Sequence, residues 1–165
     1  MAQVTNPNAA LLIDWENFDT RKGRREKIEL SWFREEGEKI GNIAACLAFA
    51  GFADSQGRLI SALHRNRIEP RFTNTKKIKN GEKETIKNAA DLHLCVEAMR
   101  IAYQYPAIDC FILASGDGGF VPLVRELKSM GKRVVAFVRD HETLSSNLKK
   151  EVENCLFYTN RGVIK

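Results

Sequence analysis

The chain has 165 residues, 44% of them apolar and 28% charged, which is the size and composition of one soluble globular domain of roughly 100–200 residues and excludes a disordered chain. Twenty-six Lys and Arg stand against 21 Asp and Glu, leaving a net charge of +5, a balance that permits a polyanionic partner without requiring one. The sequence holds no apolar run long enough to cross a membrane and no signal peptide, and its cysteines (Cys46, Cys95, Cys110 and Cys155) form no C-x-x-C pair, which argues against zinc and for buried, reduced thiols in a cytoplasmic protein.

Short apolar runs alternate with helical stretches. The first run, residues 9–13, ends at Asp14. A basic segment at 21–27, with Arg24 and Arg25, reads as an exposed loop, and 29–40 reads as a helix with Leu30, Phe33 and Ile40 on its apolar side. Residues 43–52 form a second apolar run, 57–66 a helix carrying Leu59, Ile60 and Leu63, and Glu69–Phe72 a weak third strand. Residues 73–87 hold Lys76, Lys77, Lys79, Lys83 and Lys87, broken by Asn80-Gly81, and read as a second exposed basic loop. A long helix is expected over 88–103, a fourth strand over 110–114, and a helix over 121–130 with Pro122 in its first turn and Gly131 beyond its end. A fifth strand at 134–138 and a last helix at 145–153 precede a short apolar Leu156-Phe157-Tyr158. Continuous apolar runs suit strands covered on both faces, so the expected fold is α/β, a three-layer Rossmann-like domain with a mostly parallel sheet. No internal repeat is present.

In such a sheet, ligands bind beyond the carboxyl ends of the strands. An Asp follows three of the five expected strands there: Asp14, Asp117 and Asp140. One Asp at a strand end is usually a turn or cap residue, and Asp140 is read that way. Two on neighbouring strands repel unless a cation joins them. On the long helix, Asp91 shares its face with Leu94, Cys95 and Ala98, whereas Glu97 falls with His93, Arg100 and Gln104 on the polar face. Facing inward, Asp91 would join Asp14 and Asp117. An oxygen-only carboxylate set suits Mg²⁺ or Mn²⁺, and such a set beside basic loops suits phosphodiester hydrolysis. Trp15 and Phe18, next to the acids, are the aromatic residues best placed to stack on bases. Strand 1 lacks a following glycine-rich turn, which argues against dinucleotide binding.

Three segments resemble the NYN domain family, a branch of the PIN-like nucleases, and in particular its bacterial LabA-like members. They are Leu11-Leu12-Ile13-Asp14-Trp15-Glu16-Asn17, Lys87-Asn88-Ala89-Ala90-Asp91-Leu92-His93-Leu94, and the stretch from Ile112 to Leu123 that contains Ser115-Gly116-Asp117-Gly118-Gly119. The likeness spans about residues 8–158 of a single domain, 1–165. It implies a sheet of order 3-2-1-4-5, Asp14, Asp91 and Asp117 as ligands of Mg²⁺ or Mn²⁺, and Asn17 orienting water or phosphate. Ser115 and Gly116 would shape the turn that presents Asp117, and Glu97 would stand at best behind the site. The implied activity is a metal-dependent ribonuclease, with Arg24, Arg25, Lys76, Lys77, Lys79, Lys83 and Lys87 on the RNA backbone. One position departs from the pattern. Gly119 stands where the family usually carries a second Asp, and this favours an alternative, a catalytically weakened domain that binds RNA or a protein partner. A phosphate-monoester hydrolase ranks low, because its signature wants Asp where Glu16 stands. A homodimer is compatible with all of these readings.

Overall fold

The structure is a computed structural model and describes residues 6–18, 28–52, 56–73, 75–80 and 83–158. Six strands form one parallel sheet: β1 (Asn8–Asp14), β2 (Asn42–Ala50), β3 (Glu69–Phe72), β6 (Ile108–Ala114), β7 (Arg133–Val138) and β8 (Asn154–Phe157), while β4 (Thr75–Asn80) and β5 (Lys83–Asn88) stand apart from it. The order across the sheet is β3-β2-β1-β6-β7-β8. Counted along the chain by its own strands, that is 3-2-1-4-5-6. The five expected strands keep their expected order, and the short apolar stretch near the end adds a sixth beside β7.

The two central strands show why the sheet sits in the middle of the molecule. Every residue of β1 after Asn8 is buried, and β6 is buried from Cys110 to Ala114. Alternate residues feed two separate cores, as strand geometry requires. The helices that cover them are α1 (Trp15–Phe18), α2 (Ser31–Ile40), α3 (Gly57–Arg65), α4 (Ala90–Gln104), α5 (Val121–Ser129) and α6 (Ser146–Glu151). Leu11 and Ile13 pack with Trp32 and Phe33 of α2 and Leu63 of α3. Leu12 and Phe111 pack on the other face with Leu94 and Ala98 of α4 and Val124 of α5. Gly131 adopts φ +76° just past α5, the left-handed conformation that glycine takes without strain, so the glycine stop falls where the sequence places it.

Three expectations are corrected. The segment read as a basic loop holds an antiparallel ribbon, β4 paired with β5, forming a sheet of its own. Its sequence, TKKIKN and KETIKN about Asn80-Gly81, carries the hairpin signal of a turn dipeptide between strand formers. The long helix starts at Ala90, because Asn88 belongs to β5. Trp15 and Phe18 are 6% and 1% exposed, and Phe18 packs on Trp32, Phe33 and Tyr158, so neither offers a face to a base. Among the described residues no helix is long and apolar enough to cross a membrane.

Candidate functional site

Parallel pairing sets the site. Ile13 of β1 lies opposite Ala114 of β6, so the next residues along each strand, Asp14 and Ser115, emerge side by side at the carboxyl rim. Both are buried, at 3% and 1% exposed. Ser115 Oγ donates to Asp14 Oδ2 at 3.1 Å. The same hydroxyl accepts from Asn17 Nδ2 at 3.2 Å and from the Asp117 N–H at 3.2 Å. α1 begins directly after Asp14, and its first turn brings the Asn17 N–H to 3.4 Å from Asp14 Oδ1.

Asp117 is exposed and caps the single 3₁₀ turn Gly118–Phe120, where its Oδ1 accepts the Gly119 N–H at 2.8 Å. The turn is held against the loop after β7. A Cβ on Gly116 would stand 2.1 Å from the Thr143 carbonyl oxygen, so only glycine fits there. The Gly116 carbonyl accepts the Ser145 N–H at 2.8 Å. Asp91 sits exposed in the first turn of α4, the helix whose Leu94 and Ala98 share a core with Phe120 of the Asp117 turn.

The three aspartates feel one another. Burial, with the charge of Asp91 acting in the same direction and hydrogen bonds from Ser115 and Asn17 opposing, raises Asp14 from 3.8 to about 6. Burial also raises Asp91, helped by the charges of Asp117 and Glu16. Among the described residues, the charges that move Asp14 and Asp91 are all carboxylates. Free energy is therefore held in mutual repulsion, the condition that a cation relieves.

A hard divalent ion fits this donor set in kind, since every donor is oxygen and no thiol or imidazole belongs to the group. The spacing is open: among the described residues no three acidic, histidine or cysteine side chains come close enough to chelate a single ion. One or two carboxylates with water completing the shell match that spacing, which is how Mg²⁺ is usually held.

Asp14 and Asn17 are joined through Ser115, whose hydroxyl also accepts the Asp117 N–H, and Asp91 is near enough to raise Asp14, but among the described residues the three carboxylates do not close on one point. Lys76, Lys77, Lys79, Lys83 and Lys87 lie on the β4–β5 ribbon, with Lys76 opposite Lys87 and Lys79 opposite Glu84. The ribbon leaves the rim after β3 and returns at the start of α4. Arg24 and Arg25 fall outside the described residues. Glu97 stands apart from the acids, paired with Arg100 and, at 3.7 Å, with Arg71. Asp140 is a turn residue, its Oδ1 accepting the Thr143 N–H at 2.9 Å. Glu16 is the acid that sequence reasoning passes over. It raises Asp91 and accepts the Gly51 N–H at 2.9 Å, tying α1 to the end of β2. Its position two residues after Asp14 is the signal that could have found it.

No curated protein matches the chain. A solved structure of a protein of unknown function from Vibrio parahaemolyticus matches with a TM-score of 0.78 and 21% identity, covering 96% of each chain. The MurG structure from Acinetobacter baumannii matches with a TM-score of 0.50 and 15% identity over 92% of this chain and 41% of that one. At such identities both likenesses speak for the fold alone. The NYN domain profile matches residues 8–159, a span that holds all six strands and the three aspartates, and the chain belongs to the NYN domain family.

Proposed function

We propose that the chain is a metal-dependent ribonuclease that hydrolyses phosphodiester bonds at the Asp14–Asp91–Asp117 rim. The NYN domain is a PIN-like nuclease type of domain, which supports the class of reaction. The observation that carries the reading is a chain of like charges, Asp117 acting on Asp91 and Asp91 on the buried Asp14, which is raised to about 6 with no opposing charge acting on it among the described residues.

One or two of Asp14, Asp91 and Asp117, with water completing the shell, would hold Mg²⁺ or Mn²⁺, which when bound would supply positive charge against the phosphate and make water more acidic. The chain's own residues do the positioning. Ser115 and Asn17 hold the Asp14 carboxylate ionised above pH 6 or so, ready to bind a cation at neutral pH. Asn17 stands between Asp14 and Ser115 and would orient water or a phosphate oxygen. The lysines of the β4–β5 ribbon would hold the RNA backbone, with contacts that place the strand and carry little sequence information.

The test is cleavage of a labelled RNA in Mn²⁺, with and without EDTA. Wild type should cut and Asp14→Asn should not. Equal behaviour of the two would remove Asp14 from the chemistry.

Gly119 favours a second reading, a domain that binds RNA or a protein without cutting. Its N–H donates to Asp117 Oδ1 at 2.8 Å, and it brings no carboxylate where the family pattern has a further acid. Gly119→Asp separates the two readings, since cleavage gained by that variant means a complete scaffold with an impaired natural site.

A further inference from the structure

β3 pairs with β2 only over Leu47–Ala50, so the outer edge of β2 below Leu47 has no strand beside it. A cavity of about 650 Å³ wraps this open edge. Its size falls within the ordinary range of small-molecule sites, roughly 300–1,000 Å³. The floor is apolar and shallow, made by Ala44, Ala45 and Leu47 of β2, with Ile101 and Ile108 as a wall. Four arginines reach it: Arg34 from α2, Arg67 from the turn after α3, Arg71 from β3 and Arg100 from α4. Two glutamates, Glu69 and Glu97, also line it, so the lining is positive by two charges, and by one when Glu38, paired with Arg34 at 3.3 Å, is counted with it. Asp14, Asp91 and Asp117 do not line this cavity.

Two of the arginines are in costly states. Arg67 has φ +55°, at the position after α3 where the helix closes with the Ile68 N–H on the Leu63 carbonyl. Glycine is the usual residue there, and a side chain costs free energy. Among the described residues Arg67 makes no ion pair. Among the described residues Arg71 Nε has no hydrogen-bond partner and is itself buried, in a side chain 40% exposed overall whose Nη2 lies 3.3 Å from Glu69 and 3.7 Å from Glu97. A buried, unused guanidinium donor is costly unless an acceptor arrives. Both observations point to an anionic group that enters beside Arg67 and Arg71.

The anion must also suit an apolar floor and Tyr105, which is 52% exposed at the lower end of the cavity. An added peptide strand suits the edge poorly. Ala9 pairs with Ile43 and Ala10 with Ala45, so Ala44 is bulged out of register, and bulges end ladders rather than extend them. A flat heteroaromatic ring on the alanine floor, with its phosphates on the arginines, meets every feature. The unpaired backbone of β2 would bond the edge of the ring, and Glu69 would accept from ribose hydroxyls.

We propose that this cavity binds a free nucleoside di- or triphosphate at a site separate from the acidic rim. The site does not depend on the ribonuclease reading, and the experiment keeps the two apart. Titration calorimetry is run on the full chain in EDTA, which leaves the rim without a cation, with ATP, GTP, CTP, UTP, inorganic pyrophosphate and a single-stranded RNA oligonucleotide as probes. At least one nucleoside triphosphate should bind, and tighter than pyrophosphate. Arg71→Gln, which leaves Glu97 its Arg100 partner, should weaken binding about tenfold, as expected for one lost charge-assisted bond. Arg67→Gly should also weaken binding while raising Tm by about 2–4 °C, because it relieves the left-handed conformation. A purely structural Arg67 cannot produce that pair of opposite changes. Asp14→Asn should bind the nucleotide as wild type does. The assignment is overturned by absence of binding for all four nucleotides, by pyrophosphate binding as tightly as they do, by binding of the RNA alone, or by unchanged affinity in both arginine variants.

Discussion

Ser115 and Asp14 meet where β1 and β6 end, the hydroxyl donating to the buried carboxylate at 3.1 Å. Ser115 also accepts from Asn17 and from the Asp117 backbone, so its one donor and two lone pairs are all in use. Ser115→Ala removes the bond that favours the ionised form of Asp14 and pushes that carboxyl further up. A hydrogen bond to a charged group contributes about 1.5–3 kcal/mol, so the variant should melt several degrees lower at pH 8 and much closer to wild type at pH 4. Melting curves at the two pH values decide it, and an equal deficit at both would show that the bond serves packing and not the charge.

Asp14 itself strains the fold at neutral pH. It titrates at about 6 in the folded chain against an ordinary 3.8. The folded state therefore binds this proton more tightly than the unfolded one does. The stability it adds is present in full below about pH 4, declines as pH rises, and is gone above the folded value near 6. Each tenfold change in proton affinity corresponds to about 1.4 kcal/mol, so ionising Asp14 within the folded chain costs roughly 3 kcal/mol. Asp14→Asn, which keeps the shape and one acceptor, should be more stable than wild type at pH 8 in EDTA by about 1–2 kcal/mol, less than the full cost because a neutral amide forms weaker bonds. Below pH 4 the gain should vanish. Urea unfolding across this range measures it, and a variant less stable than wild type at pH 8 contradicts the repulsion.

A divalent cation should supply the same relief in the wild type. At ten times its dissociation constant, a ligand of the folded state adds about 1.4 kcal/mol, a rise in Tm of about 3–6 °C for a domain of this size. The rise with Mn²⁺ should be larger at pH 7.5 than at pH 5, where Asp14 is protonated, and absent in Asp14→Asn.

Gly119→Asp places a new carboxylate beside Asp117, where the added Cβ would lie 3.3 Å from Asp117 Oδ1. The neighbour must give slightly, and the charges repel. In EDTA the variant should be less stable than wild type by about 1 kcal/mol. In Mn²⁺ the order should reverse, with a cation-induced shift larger than that of wild type. Calorimetric melts with and without Mn²⁺ test this independently of any cleavage assay.

The lysines of the ribbon should show themselves in the salt dependence of RNA binding. Each phosphate contact on a single strand contributes about 0.7 to the slope of log affinity against log salt. Replacing Lys76, Lys77 and Lys79 together by Gln should lower the slope by about 2 and leave the melting temperature within a degree or two, since β4 and β5 form a sheet apart from the main one. Fluorescence anisotropy of a labelled oligonucleotide over a salt series reads both the slope and the affinity. An unchanged slope would place the backbone contacts elsewhere.

Much of the architecture is legible in the sequence because it rests on local signals. Apolar runs such as 9–13 and 110–114 occur where both faces of a strand are covered, and Pro122 with Gly131 brackets α5. β8 is harder to see: four residues, half-exposed, that become a strand only through β7. The ribbon is hidden because its lysines suggest solvent, while its threonines, isoleucines and Asn80-Gly81 suggest pairing. At the rim, strand ends locate Asp14 and Asp117, and helical phase locates Asp91. The hub role of Ser115 is not visible in sequence, since it follows from the register of Ile13 on Ala114, a contact between residues far apart in the chain. Trp15 and Phe18 mislead for a related reason. Adjacency to the acids in sequence says nothing about direction, and the four residues of α1 turn both rings into the core.

The ribbon's two feet give the domain a modular character. β5 ends at Asn88 and α4 opens at Ala90, one residue before Asp91. Because β4 and β5 take no part in the six-stranded sheet, the pairing within that sheet does not depend on the length, charge or composition of this arm. Grafting the arm of one such domain onto another would then carry the arm's charge across as a cassette, with the acids left in place.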